Sequence, residues 1–273
     1  MLDQLVPDDL WRVVNPIIPR RVQQNRPGRK RIYPRRTLAG ILDILRWGLP
    51  WRSLPLALGF GSGRTCERRF HAWCQAGVWQ RLFRLVLDHA EQHGLLDWSR
   101  ASLDSASVPA PRGGQDVGPN PTDRGKNGSK IHLLVDGHGL PLGVTISGAN
   151  VHDNQRFEQT LDAVQGVRNG RQGRPRRRPD KLHADKGYDA RRCRHACRTR
   201  GIKARIARRG KDSSERLGRW RWRVERTLAW VLAFRKLAVR RERSSAAFLG
   251  LCQLACMIIV WRRVSALSGP AAR

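Results

Sequence analysis

At 273 residues the chain is long enough for one large domain or two smaller ones, and 53 lysines and arginines against 22 acids give it a formal charge of +31. A field of that sign and size argues against a neutral or anion-repelling surface and favours a polyanionic partner, nucleic acid first and anionic membrane second. Only eight of the basic residues are lysine, so codon bias is a competing source for much of the arginine.

None of the six cysteines falls in the two-plus-two spacing of a zinc module. They read as reduced thiols of an intracellular protein. No basic-then-apolar leader opens the sequence. The most apolar run, 246–261, is shorter than the ~20 residues of a comfortable membrane span and contains Gln253, so it is expected as a buried core helix. The expectation is therefore a cytoplasmic protein, nucleoid-associated when bound to DNA, with no membrane role.

In chain order, residues 7–18 place Leu10, Val13, Val14 and Ile17 at helical spacing. A polar connector, 20–36, precedes a helix over 37–47 whose Leu38, Ile41, Leu42 and Leu45 share a face. Gly48-Leu49-Pro50 breaks it, a short helix follows at 51–58, and 63–76 resumes with Arg64, Arg68 and Arg69 outward. Helix, turn, then a helix with basic residues near its start is the order of a helix-turn-helix DNA reader. A further helix at 78–93 closes an all-α region at residue 97.

The texture then changes. Residues 101–108 and 131–135 read as strands, Asp136-Gly137-His138-Gly139 as a hairpin turn, and 140–147 as a third strand. Helices are predicted at 154–167, 190–200 and 215–234, strands at 182–184 and 203–206, and an arginine-rich loop at 168–178. That loop suits non-specific phosphate contacts or a compositionally biased insert. Three strands in hairpin order, then strands alternating with helices, predict an α/β fold: a ribonuclease H-like mixed sheet flanked by helices, preceded by the all-α helix-turn-helix-like domain. The division predicted is 1–97, 98–264 and a flexible tail at 265–273.

Three acids stand out. Asp104 is the one charge in the strand-like run SLDSASV, where an unpaired acid is costly. Asp185, in HADKGYD, ends a strand, and Gly187 lets the backbone turn away. Glu225, in RWRVERTLAW, borders the apolar face made by Val224, Leu228 and Val231, one helical turn after Arg221. Each has a bland reading: Asp104 satisfying serine hydroxyls, Asp185 capping a helix or pairing with Lys186, Glu225 in a surface pair worth ~0.3–0.5 kcal/mol. Together they suit a pair of Mg²⁺ ions roughly 3.5–4 Å apart acting on a phosphodiester, since Mg²⁺ takes oxygen ligands. His132, His138, His152 and His183 fall near predicted strand ends as lesser candidates for a base, and Trp220 or Trp222 for stacking on a flipped base.

The ordered strings LAGILDILRWGLPWRSLP, RTCERRFHAWCQAGVWQRL, LDSASV, DRGKNGSKIHLLVDGHGLPLGVTISGANVHD, HADKGYD and RWRVERTLAWVLAFRKL resemble bacterial insertion-sequence transposases of the DDE group, in particular the insertion-sequence-five-like family. The resemblance runs from about Leu5 to Trp261. It implies that Asp104, Asp185 and Glu225 are the catalytic, metal-binding triad, with two Mg²⁺ ions per site and Mn²⁺ as a substitute. It implies that water opens the phosphodiester at the element's end and that the freed 3′-hydroxyl then attacks target DNA. The expected partners are the terminal inverted repeats and target DNA, bound by a homodimer or higher homo-oligomer. Arg64, Arg68, Arg69, Lys126, Lys130, Lys186, Arg221, Arg235 and Lys236 are expected to contact DNA. Two positions depart from the family's glutamate motif: its tyrosine meets Gly218 and its later lysine meets Leu232, with Arg235 and Lys236 displaced along the chain. A catalytically silent DNA-binding copy and a metal-dependent nuclease without strand transfer are the rival readings.

Overall fold

The computed structural model describes residues 1–19, 31–211 and 218–267. Most of the polar connector and the end of the predicted tail, 268–273, lie outside the described residues. Helices α1 (Leu2–Leu5), α2 (Asp8–Val14), α3 (Pro34–Trp47), α4 (Gly63–Gln75) and α5 (Val78–Gln92) precede the first strand. Pro34 starts α3 with its φ already near the helical value. Leu38, Ile41, Leu42 and Leu45 are buried as their spacing predicts, and Gly48, at φ +71°, ends the helix in the left-handed region. Ser62 caps α4 by accepting the Thr65 N–H at 3.2 Å. At Gly63 the chain passes so close to Trp51 that a Cβ would lie 1.6 Å from its carbonyl oxygen. The link between α3 and α4 runs over residues 48–62 and includes two 3-10 turns, longer than the three or four residues of a tight helix-turn-helix.

Strands β1 (Ala101–Pro109), β2 (Gly118–Pro119), β3 (Asn127–Asp136), β4 (Pro141–Gly148), β5 (Lys181–Ala184) and β6 (Lys203–Ile206) form one sheet. β3 is antiparallel to β1 on one side and to β4 and the short β2 on the other, whereas β5 runs parallel to β1 and β6 parallel to β5. The spatial order β4-β3-β1-β5-β6, with an antiparallel meander followed by two parallel strands, is the ribonuclease H-like arrangement. Asp136 sets the β3–β4 turn: its Oδ1 accepts the N–H groups of His138 and Leu140, and its Oδ2 that of Asp97.

Helices α6 (Phe157–Asp162), α7 (Arg191–Thr199), α8 (Gly218–Leu232), α9 (Arg235–Ala238) and α10 (Ser245–Ser265) complete the fold. Successive residues of β3 and β4 are almost all buried, which requires helices over both faces. α8 lies against β1, β3 and β5, and α10 against β4, α4 and α5. Although α10 is long and apolar enough to cross a membrane, most of its apolar side chains from Phe248 to Val264 are buried in the core, with Leu249 and Ile258 partly buried against it. That core runs continuously from Val6 to Val264, so the helices before residue 97 and those after β6 pack as one body. The helix predicted at 154–167 is confined to α6, because Val167 instead pairs its backbone with Arg176 and anchors the arginine loop.

Candidate active site

The geometry begins with strand register. Ala101 of β1 stands opposite Leu182 of β5, and Ser102 opposite His183. Carried forward, the same register sets Asp104 level with Asp185, the first residue beyond β5, on strands ~4.8 Å apart. The two carboxylates are close enough that the charge on Asp185 discourages ionisation of Asp104.

Asp104 Oδ1 accepts the Ser105 N–H at 2.8 Å, and Oδ2 receives the Arg221 guanidinium at 3.1 Å. Burial nevertheless dominates and raises its pKa from the ordinary 3.8, with the Ser105 bond and Arg221 opposing. Asp185 Oδ1 accepts the Gly187 N–H at 2.8 Å, closing the 3-10 turn Lys186–Tyr188. The capping role and a place beside Asp104 are therefore compatible.

Glu225 sits on α8, whose Val224, Leu228 and Val231 are buried. Its own side chain is 57% exposed and meets Arg221 at 3.3 Å. The same guanidinium nitrogen thus bridges Asp104 and Glu225. Among the described residues no three His, Cys, Asp or Glu side chains stand close enough to hold an ion together. Asp104 and Asp185 are neighbours, and Glu225 joins them through Arg221 rather than directly.

Sequence reasoning missed a fourth acid. Asp153, in a 3-10 turn shortly after β4, accepts the Ser105 hydroxyl at 3.0 Å and the Lys130 ammonium at 3.0 Å. Tyr188 is buried nearby, and its hydroxyl is held well above its ordinary pKa by burial, then by Asp153, Asp104 and Asp185. An acid just beyond a predicted strand, in the string NVHD, was the available signal.

Several expected DNA contacts are placed elsewhere. Lys130 is held by the Val151 carbonyl at 2.9 Å and by Asp153, so its ammonium serves the site's interior. Lys236 is buried, donating to the Leu49 carbonyl at 3.1 Å and pairing with Glu242 at 3.3 Å, away from the solvent-facing position expected of a DNA contact. Arg221 faces the acids, and Arg69 donates to the Thr37 hydroxyl at 2.7 Å. Arg64 and Arg68 on α4, Lys126, and Arg235 beside Trp47 are exposed, while Lys186 is partly exposed. Of the histidines, His132 and His183 are driven down to about 4 chiefly by burial, so both are neutral at pH 7. Trp220 is covered by Arg100, 3.6 Å from its ring, whereas Trp222 is 46% exposed. All six cysteines are free thiols.

The fold and the paired aspartates define a ribonuclease H-like protein with acids at adjoining strands. Within that class the sequence is specific: the profile described as "Transposase DDE domain" matches residues 91–260, and "Putative transposase of IS4/5 family" matches residues 6–83. The chain belongs to the DDE transposase family. It is 43% identical over 145 residues, 53% of its length and 68% of the relative's, to the "Putative transposase for insertion sequence element IS402" of Burkholderia cepacia. It is 41% identical over 123 residues, 44% of its length and 84% of the relative's, to an uncharacterized 16.2 kDa protein of the same insertion element. Among solved structures, the catalytic domain of Mos1 mariner transposase aligns with 67% of this chain and 91% of its own at 13% identity, with a TM-score of 0.28.

Proposed function

We propose that the protein is the transposase of an insertion sequence, which binds the element's terminal inverted repeats, cleaves its ends and joins the 3′-hydroxyl to target DNA. The observation that carries this reading is the register that sets Asp104 beside Asp185, with Glu225 tied to Asp104 through one guanidinium. Family membership supports it independently.

The donor set fits a hard divalent cation such as Mg²⁺ or Mn²⁺, because every acid offers oxygen. Arg221 supplies positive charge between Asp104 and Glu225, which supports the reading that these acids accept a cation. Asp104 and Asp185 would hold it, with Glu225 as a further oxygen ligand. Such ions supply electrostatic stabilisation of the charge on the transferring phosphoryl group. The chain's own part is positional: Ser105 N–H and Gly187 N–H orient the two aspartates, and the exposed Lys126 and half-exposed Lys186 draw the DNA backbone towards them.

End recognition falls to the helical region. Arg64 and Arg68 are exposed on α4, and Arg68 lines a groove of about 660 Å³ together with Arg31, Tyr33 and Trp73. A homodimer or higher oligomer then holds the two ends. Incubating the protein with Mg²⁺ and DNA carrying the element's own terminal repeats tests the reading. Nicked ends and joined products are expected. Binding with neither product supports a silent copy, and nicks without joining support a plain nuclease.

A further inference from the structure

We infer that Asp153 is a positioning residue for the paired aspartates, acting on Asp104 through Ser105. This rests on the proposed site. Asp153 follows β4, two strands away from β1, yet its carboxylate reaches across β3 to the Ser105 hydroxyl at 3.0 Å. Lys130, on the intervening strand, fixes that reach by binding both the Val151 carbonyl and Asp153 Oδ1. Ser105 in turn donates its backbone N–H to Asp104 Oδ1 at 2.8 Å. The result is a continuous chain from Lys130 through Asp153 and Ser105 to Asp104.

A second contact points the same way. The turn Asp153–Gln155 packs against the turn Lys186–Tyr188, which Asp185 itself caps. Tyr188, the last residue of the second turn, is buried and feels the charges of Asp153, Asp104 and Asp185 together. Asp153 therefore braces the backbone beside both aspartates. A mere partner for Lys130 would have no reason to engage the residue that orients Asp104. Groups of this kind, hydrogen-bonded behind a ligating carboxylate, typically change metal affinity by about 10- to 100-fold when altered.

The test is Mn²⁺ binding by the full-length protein at fixed pH, read from the electron paramagnetic resonance signal of free Mn²⁺. Wild type, D104N, D153N, S105A and the D153N/S105A double variant are compared. D104N should abolish the binding. D153N and S105A should each weaken it about 10- to 100-fold, and the double variant should be no worse than the weaker single one, because both act along one chain. If D104N loses Mn²⁺ while D153N and S105A bind it as wild type does, the positioning role is overturned and the site stands. If wild type binds no Mn²⁺, or D104N binds as well as wild type, the site itself fails and the inference with it. Should D153N not fold, S105A, which deletes one hydroxyl, decides alone.

Discussion

Arg221 binds the Asp104 carboxylate at 3.1 Å and the Glu225 carboxylate at 3.3 Å with the same guanidinium nitrogen. The two contacts differ in environment. The Asp104 side chain is 17% exposed and that of Glu225 57%, so water screens the second far more than the first.

That asymmetry separates stability from chemistry. R221Q leaves Asp104 shielded from water without its charged partner and should cost roughly 1–3 kcal/mol in urea unfolding. E225Q should cost less than ~1 kcal/mol yet abolish end cleavage. An E225Q protein that cleaves normally would remove Glu225 from the site.

Lys236 and Glu242 form a buried pair, with Glu242 Oε2 left without a hydrogen-bond partner. Removing one member of such a pair strands the other charge. K236M should therefore lose about 3–5 kcal/mol of stability, while the DNA affinity of the remaining folded protein stays unchanged. A selective loss of DNA binding at full stability would restore Lys236 to the DNA surface.

Arg64 and Arg68 behave oppositely, being exposed on α4. R64Q and R68Q should leave unfolding within about 0.5 kcal/mol of wild type. Each should lower the salt dependence of binding by about one unit in a plot of log affinity against log salt. Unaltered slopes would place end recognition on another surface.

His132 is buried with Nε2 on the Ser147 hydroxyl at 2.8 Å and Nδ1 without a hydrogen bond, 4.0 Å from Asp153 Oδ1. Burial, outweighing the opposing Asp153 carboxylate, lowers its pKa from 6.5 to about 4. Between those values the unfolded chain binds the proton and the folded one does not, so stability is full above about 6.5 and declines as pH falls towards 4. Urea unfolding at pH 7 and pH 5 should show this loss in wild type and a smaller one in H132Q. Equal losses would assign the acid sensitivity to other groups.

Much of this architecture was legible because periodicity reports burial. The apolar face of α3, the strands β1, β5 and β6 and the core helix α10 follow from spacing alone. Asp104 and Asp185 were legible as candidates because acids in apolar strands demand partners. Asp153 was not, since its importance arises from a side chain crossing β3, which only the folded sheet brings into reach. The carboxylate partners of Lys130 and Lys236 were hidden for the same reason: a lysine in sequence carries a charge, and tertiary packing decides whether that charge meets solvent or a buried carboxylate. Arg221 shows the limit of motif reading as well, for its spacing to Glu225 was evident while its bond to Asp104, 117 positions away, was not.

The most direct measurement is backbone self-cleavage by Fe²⁺ with ascorbate and peroxide, in which radicals cut the polypeptide where the ion sits. Cuts are predicted beside residues 104 and 185 and within α8 near 225, all suppressed by excess Mg²⁺ and absent from D185N. Fragments arising at unrelated segments, or a D185N pattern identical to wild type, would contradict a shared cation site.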